Sequence, residues 1–77
     1  MDLNDFITNF VDQIDDVDTS SINASTQFKD LQEWTSMSAL AVIAMIDTEY
    51  DVQIKGDDIR NAKTIEDLFN RVKEIKG

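Results

Sequence analysis

The chain of 77 residues contains no Cys, no His and no Pro, and only two Gly. Without Cys it has no disulfide, no thiol nucleophile and no thiolate ligand; without His it has no imidazole to act as base or metal ligand. Most ordinary catalytic constellations are thereby excluded. The lack of Pro and scarcity of Gly argue against linkers, collagen-like repeats and tight-turned β architectures. No stretch approaches the roughly 20 apolar residues that cross a bilayer. Basic residues are few: seven Lys and Arg stand against sixteen Asp and Glu, for a net charge of −9. That balance repels polyphosphate and argues against nucleic-acid binding, so a charged partner is expected to be basic.

What is present fits one small core. The length is below that of a typical domain, which predicts a single unit over residues 1–77, and 42% hydrophobic residues suffice to pack it. The start, Met1-Asp2-Leu3-Asn4-Asp5, has neither the basic region nor the apolar stretch of a secretory signal, and a cytoplasmic location is expected. Asn23-Ala24-Ser25 matches a glycosylation pattern by chance on that reading.

Leu3, Phe6, Ile7, Phe10, Val11 and Ile14 recur at steps of three and four, which predicts an amphipathic first helix with Asp2 as its N-cap. The helix is expected to end near residue 16, where Asp15, Asp16 and Asp18 crowd together. Residues 17–35 are rich in Ser, Thr and Asn, whose side chains compete for backbone hydrogen bonds, and predict a long loop. A loop of that length needs apolar pins, for which Ile22, Phe28, Leu31 and Trp34 are available. From Met37 to Ile46 the chain is apolar on almost every side, which predicts a central helix. Leu40, Ile43 and Ile46 are assigned to the core, and Met37, Ala41 and Met45 to surplus apolar surface that meets a partner. A short helical piece follows at 57–62. Thr64 then caps a last helix along Ile65, Leu68, Phe69, Val72 and Ile75, with Lys73 and Lys76 suited to its negative end. The fold class is therefore all-α: a four-helix bundle with a short third helix and a long loop between the first two.

Charge divides unevenly along this plan. Residues 1–54 hold eleven acids and one base, whereas residues 55–77 hold five acids and six bases. The first two long helices and their loop should present a negative face. A calcium loop starting at Asp16 fails, because its sixth position is Ser21 where a Gly is needed and its twelfth is Gln27 where a Glu is needed. No metal site is expected.

Trp34-Thr35-Ser36-Met37 puts hydroxyls where a polar loop becomes an apolar helix. Thr35 or Ser36 can cap that helix, and the same N-terminus offers N–H groups and a favourable field to a phosphate attached at Ser36.

Around this point the sequence resembles the acyl carrier proteins, and the likeness extends over nearly the whole chain. It is carried by the amphipathic first helix, the long loop ending in Phe28-Lys29-Asp30-Leu31, Ser36 at the start of the second helix, and Asp47-Thr48-Glu49-Tyr50-Asp51-Val52-Gln53-Ile54 at its end. The resemblance implies that Ser36 receives 4′-phosphopantetheine from coenzyme A through a phosphopantetheinyl transferase. The chain would then be a non-catalytic carrier, a monomer, holding acyl intermediates as thioesters for loading, elongating and transferring enzymes with basic docking surfaces. It further implies partner contacts at Thr35, Met37, Ala41, Met45, Asp47 and Glu49, and an acyl cavity lined by Leu40, Ile43, Ile46, Ile54, Ala62 and Leu68. Thr35 and Met37 stand where the family usually has Asp and Leu, and Ala41 replaces a docking acid, so partner choice should differ from that of a housekeeping fatty-acid carrier. Ser38 is the nearest rival for attachment. Two other readings stand beside this one: an unmodified acidic adaptor that binds a basic protein surface, and an aminoacyl or peptidyl carrier of the same fold.

Overall fold

A computed structural model describes residues 1–77. Asp2 opens the first helix, α1 (Leu3–Val11), by accepting a 2.8 Å hydrogen bond from the Asn4 N–H. Phe6, Phe10 and Val11 are its buried stripe. The helix stops about one turn earlier than its apolar pattern. Asp12 is the C-cap, and Gln13 and Ile14 continue as single tight turns, their N–H groups bonding Phe10 and Val11 carbonyls at 3.0 Å. Acids at 12, 15 and 16 oppose the negative end of the helix dipole, and Asp16 at φ 62° turns the chain away in the left-handed region. Ile14 still reaches the core, because a tight turn keeps it on the buried side.

The long loop contains two single 3₁₀ turns, Thr19–Ser21 and Phe28–Asp30. Asp18 caps the first, accepting from the Ser20 N–H at 3.1 Å and the Ser20 hydroxyl at 2.7 Å. Ile22 and Phe28 are buried, with Leu31 and Trp34 packed against them, so the four expected pins hold the loop down. The loop is also bonded to the last helix: Ala24 and Thr26 carbonyls accept the N–H groups of Glu66 and Ile65 at 3.0 and 3.2 Å. Two orphan donors of that helix start are thereby satisfied.

The second helix, α2 (Ser36–Tyr50), buries Ser38, Val42, Met45 and Ile46. These positions follow a step of three or four and define one inward face. Two sequence assignments change as a result. Leu40 lies two residues from both Ser38 and Val42, about 200° around the helix, and points outward with 61% of its surface exposed. Met45, placed on the surface by the sequence reading, falls on the inward face and is 6% exposed. An all-round apolar run gave no polar residue to mark which side faces out. Asp51 ends α2 in the left-handed conformation at φ 57°, and the link beyond it turns Val52 and Ile54 into the core.

The third helix, α3 (Gly56–Asn61), bridges α2 and the fourth, α4 (Ile65–Lys76), while α1 packs on both α2 and α4. All four helices enclose one cluster of 17 buried apolar residues. Aromatic rings thread it. Phe6 meets Phe69 at 5.4 Å and Tyr50 at 5.6 Å, and Phe10 meets Phe28 at 5.1 Å. Thr64 and Asp67 form a capping box at the start of α4, the Asp67 N–H bonding Thr64 Oγ1 at 3.1 Å.

Asp58 ties α3 to α4. Its carboxylate accepts from the Lys55 N–H at 2.9 Å and from Arg71 Nε at 2.8 Å. The Lys55 N–H, and after it the Arg71 guanidinium, hold the Asp58 carboxyl below the usual carboxylate range. The unfolded chain therefore binds this proton more readily than the folded one. The stability it confers is complete above the unfolded pKa near about 4 and is lost as pH falls through the lower folded value. Asp58→Asn is expected to cost about 1 kcal/mol at neutral pH, as loss of a capping carboxylate does, and the gap to wild type should close in acid. Thermal melts of both proteins from about pH 7 to about pH 2 check this, since a constant gap would mean the carboxylate charge contributes nothing.

Candidate functional site

The start of α2 is fixed by a reciprocal cap. Thr35 Oγ1 accepts from the Ser38 N–H at 3.2 Å, and Ser38 Oγ accepts from the Thr35 N–H at 3.2 Å. The two hydroxyls lie 3.3 Å apart. Ser38 is 7% exposed and wholly engaged in this cap. Trp34 anchors the preceding residue: its ring stacks parallel on Phe10 at 5.9 Å and meets Phe28 edge-on at 4.9 Å. The cap therefore stands on the aromatic core.

Ser36 occupies the first helical position between these fixed neighbours. It is exposed, and its hydroxyl has no hydrogen-bond partner in the protein. The N–H groups of Ser36 and Met37 also lack an acceptor, because the cap serves Ser38 and the Thr35 carbonyl serves Ala39. Exposed donors at the positive end of a 15-residue helix suit a bound phosphate oxygen. No charged residue lies between Trp34 and Ile46, so no carboxylate on that stretch repels such a group. A phosphate ester on Ser36 Oγ thus has room, donors and a favourable field.

The other sequence-predicted residues separate into surface and core. Thr35, Asp47 and Glu49 are exposed and Ala41 is half-buried, while Met37 is 74% exposed. Ile46, Ile54, Ala62 and Leu68 lie in the core, and Ile43 packs at its margin. Leu40 does not join them. The core side chains close on one another, and no cleft is lined by Ile46, Ile54 or Leu68. Ala62 alone borders a surface cleft, with Asp58, Asn61, Asp67 and Arg71.

Sequence reasoning missed a cleft of about 570 Å³ between α1 and α2, lined by residues that include Asn9, Asp12, Ala44, Thr48 and Glu49. Asn9 also donates to the Tyr50 hydroxyl at 2.9 Å, which joins the two helices beside it. The available signal was the absence of Lys and Arg from the last turns of both helices. No group of three or more Asp and Glu is placed to hold a metal ion.

A family described as phosphopantetheine attachment site matches residues 5–72 of the chain. The chain belongs to that family. No solved structure matches it. Members are carrier domains that bear the 4′-phosphopantetheine prosthetic group. They work with a transferase that installs the group and with partner enzymes, and are generally not catalysts themselves. The all-helical architecture agrees with the small bundles of such carriers. No helix of this carrier is long and apolar enough to cross a membrane.

Proposed function

We propose that this carrier bears its 4′-phosphopantetheine on Ser36 and presents acyl intermediates to enzymes of fatty acid, polyketide or related biosynthesis. One observation supports the choice of residue above the rest: the Ser36 hydroxyl is exposed and unengaged at the start of α2, whereas the neighbouring Ser38 hydroxyl is buried in the cap. In loading, Ser36 Oγ bonds to phosphorus, the pyrophosphate bond of coenzyme A breaks and the nucleotide leaves. The hydroxyl proton passes to the transferase, since no side chain of this protein is hydrogen-bonded to Ser36 Oγ to receive it. Once attached, the group supplies the thiol that this chain lacks, and the thiol carries acyl groups as thioesters.

The protein's own residues hold and orient the attachment point. Thr35 and Ser38 fix the backbone on either side, and Trp34 ties that backbone to Phe10 and Phe28. Tethering an acyl group to a small carrier raises its concentration at each docked enzyme, while electrostatic docking of modest strength permits release. On this reading Ile43, Ile46, Ile54, Ala62 and Leu68 are the side chains that an acyl chain entering the bundle would displace.

Incubation with coenzyme A and a broad-specificity phosphopantetheinyl transferase, followed by intact-mass and fragment mass spectrometry, tests the proposal. The expected result is addition of one phosphopantetheine, located at Ser36. A protein that gains no mass under conditions that load a known carrier would instead support the unmodified acidic adaptor.

A further inference from the structure

Helix α3 is fastened at both ends. In its first turn the Asp58 carboxylate accepts from Arg71 Nε of α4 at 2.8 Å, and in its last turn the Arg60 carbonyl accepts from Lys29 Nζ. Lys29 lies on the Phe28–Asp30 turn, which the fully buried Phe28 holds in the core. The link from α2 and α3 itself add four buried apolar anchors, Val52, Ile54, Ile59 and Ala62. In the same cluster Val42, Ile46, Ile65, Leu68 and Val72 have no exposed surface. An interior packed to this degree has no spare volume, and inserting further methylenes forces side chains out of their preferred rotamers. The clefts that open on the surface are polar. Asn9, Asp12, Gln13, Thr48 and Glu49 surround three apolar side chains between α1 and α2, and Asp58, Asn61, Asp67 and Arg71 surround Ala62 between α3 and α4.

We propose that the group carried on the arm is a short or polar acyl group that stays outside the bundle, in place of a long hydrocarbon chain stored between the helices. The inference deepens the proposed function and rests on the reading of Ser36 as the attachment residue. Hydrocarbon is costly in water in proportion to its exposed area, so a carrier suits long chains only where its own interior takes them up. Entry here means moving α3. That movement breaks the Asp58–Arg71 ion pair, frees the last-turn carbonyl of α3 from Lys29 and pulls Ile54, Ile59 and Ala62 from their core contacts. The surface clefts offer a long chain nothing comparable, since their walls are mostly carboxylates, amides and a guanidinium. A short acyl group, or one bearing hydroxyl, amino or amide groups, has little apolar area to shelter and leaves all of these contacts intact. Ile46, Ile54, Ala62 and Leu68 then serve the stability of the bundle alone.

The test loads the carrier from acetyl-, butyryl-, octanoyl- and dodecanoyl-coenzyme A with a broad-specificity transferase, then compares methyl NMR spectra and melting temperatures of the four forms. The Ile46, Ile54 and Leu68 methyl signals are expected to keep the same positions in all four, with melting temperatures within about 2 °C of one another. Shifts confined to Met37 and Leu40, which are exposed beside Ser36, agree with cargo that lies outside. Core methyl shifts that grow from butyryl to dodecanoyl overturn the proposal, and so does a melting temperature that climbs by about 5 °C or more together with them. The double variant Lys29→Ala/Arg71→Ala releases α3 at both ends, and in it octanoyl cargo is expected to shift the Ile54 and Leu68 methyls that stay still in the wild type. Unmoved methyls in that variant overturn the role given to the two fastenings. A wild type that gains no acyl-phosphopantetheine mass, or gains it at a residue other than Ser36, instead removes the Ser36 reading and the proposal with it.

Discussion

Phe10→Ala is expected to destabilise the protein by about 3–5 kcal/mol, the usual cost of emptying a buried aromatic site. Phe10 is fully buried, and its ring contacts Phe28 at 5.1 Å, Trp34 at 5.9 Å and Phe6 at 6.4 Å. These partners come from α1, the loop and the residue just before the α2 cap, so no single neighbour can move to fill the space. A domain of this size has a total stability on the order of 4–12 kcal/mol, so the loss brings the variant close to its unfolding threshold. Its melting temperature should fall by about 15 °C or more. The only Trp of the chain sits in the same cluster, and its fluorescence reports the change directly. Ile75→Ala, at a position 40% exposed near the end of α4, should cost under about 1 kcal/mol. Near-equal effects of the two substitutions in urea titrations would show that the aromatic cluster does not organise the core.

Much of this architecture is legible in the sequence because the helices carry signals of several kinds. In α4 the Thr64–Asp67 cap, the apolar period and the basic last turn agree, and the helix begins at Ile65 and ends at Lys76 as that agreement requires. In the loop, Ile22 and Phe28 stand out as apolar residues among hydroxyls and amides, and both are buried. The failures arise where the signals conflict or vanish. At the end of α1 the apolar stripe runs to Ile14, but the acids and the left-handed Asp16 stop the helix at Val11. In α2 the apolar run supplies no period, so inward and outward faces are decided by packing against neighbours that a one-dimensional reading does not see. Leu40 and Met45 exchange their expected places for that reason. The cleft between α1 and α2 was invisible for another: Asn9 and Asp12 become its neighbours to Ala44 and Glu49 only when two distant segments cross.

The two hydroxyls at the start of α2 are expected to separate function from stability. Ser36→Ala should abolish loading while leaving the unfolding free energy within about 0.5 kcal/mol of wild type, since the lost hydroxyl is exposed and bonds nothing in the protein. Ser38→Ala should do the reverse. Its Oγ accepts the Thr35 N–H, so its removal leaves a donor unpaired in a half-buried cap and costs about 1 kcal/mol, while Ser36 is still loaded. Chemical denaturation and intact mass, measured on both variants, give two independent readouts. Loading retained in Ser36→Ala and lost in Ser38→Ala would transfer the attachment site two residues along the helix. A phosphate there would have to break the reciprocal cap that fixes the start of α2. On the proposed reading the carrier keeps its attachment point and its helix start on separate side chains, Ser36 for the arm and Thr35 with Ser38 for the cap, so the arm can be added without unwinding α2.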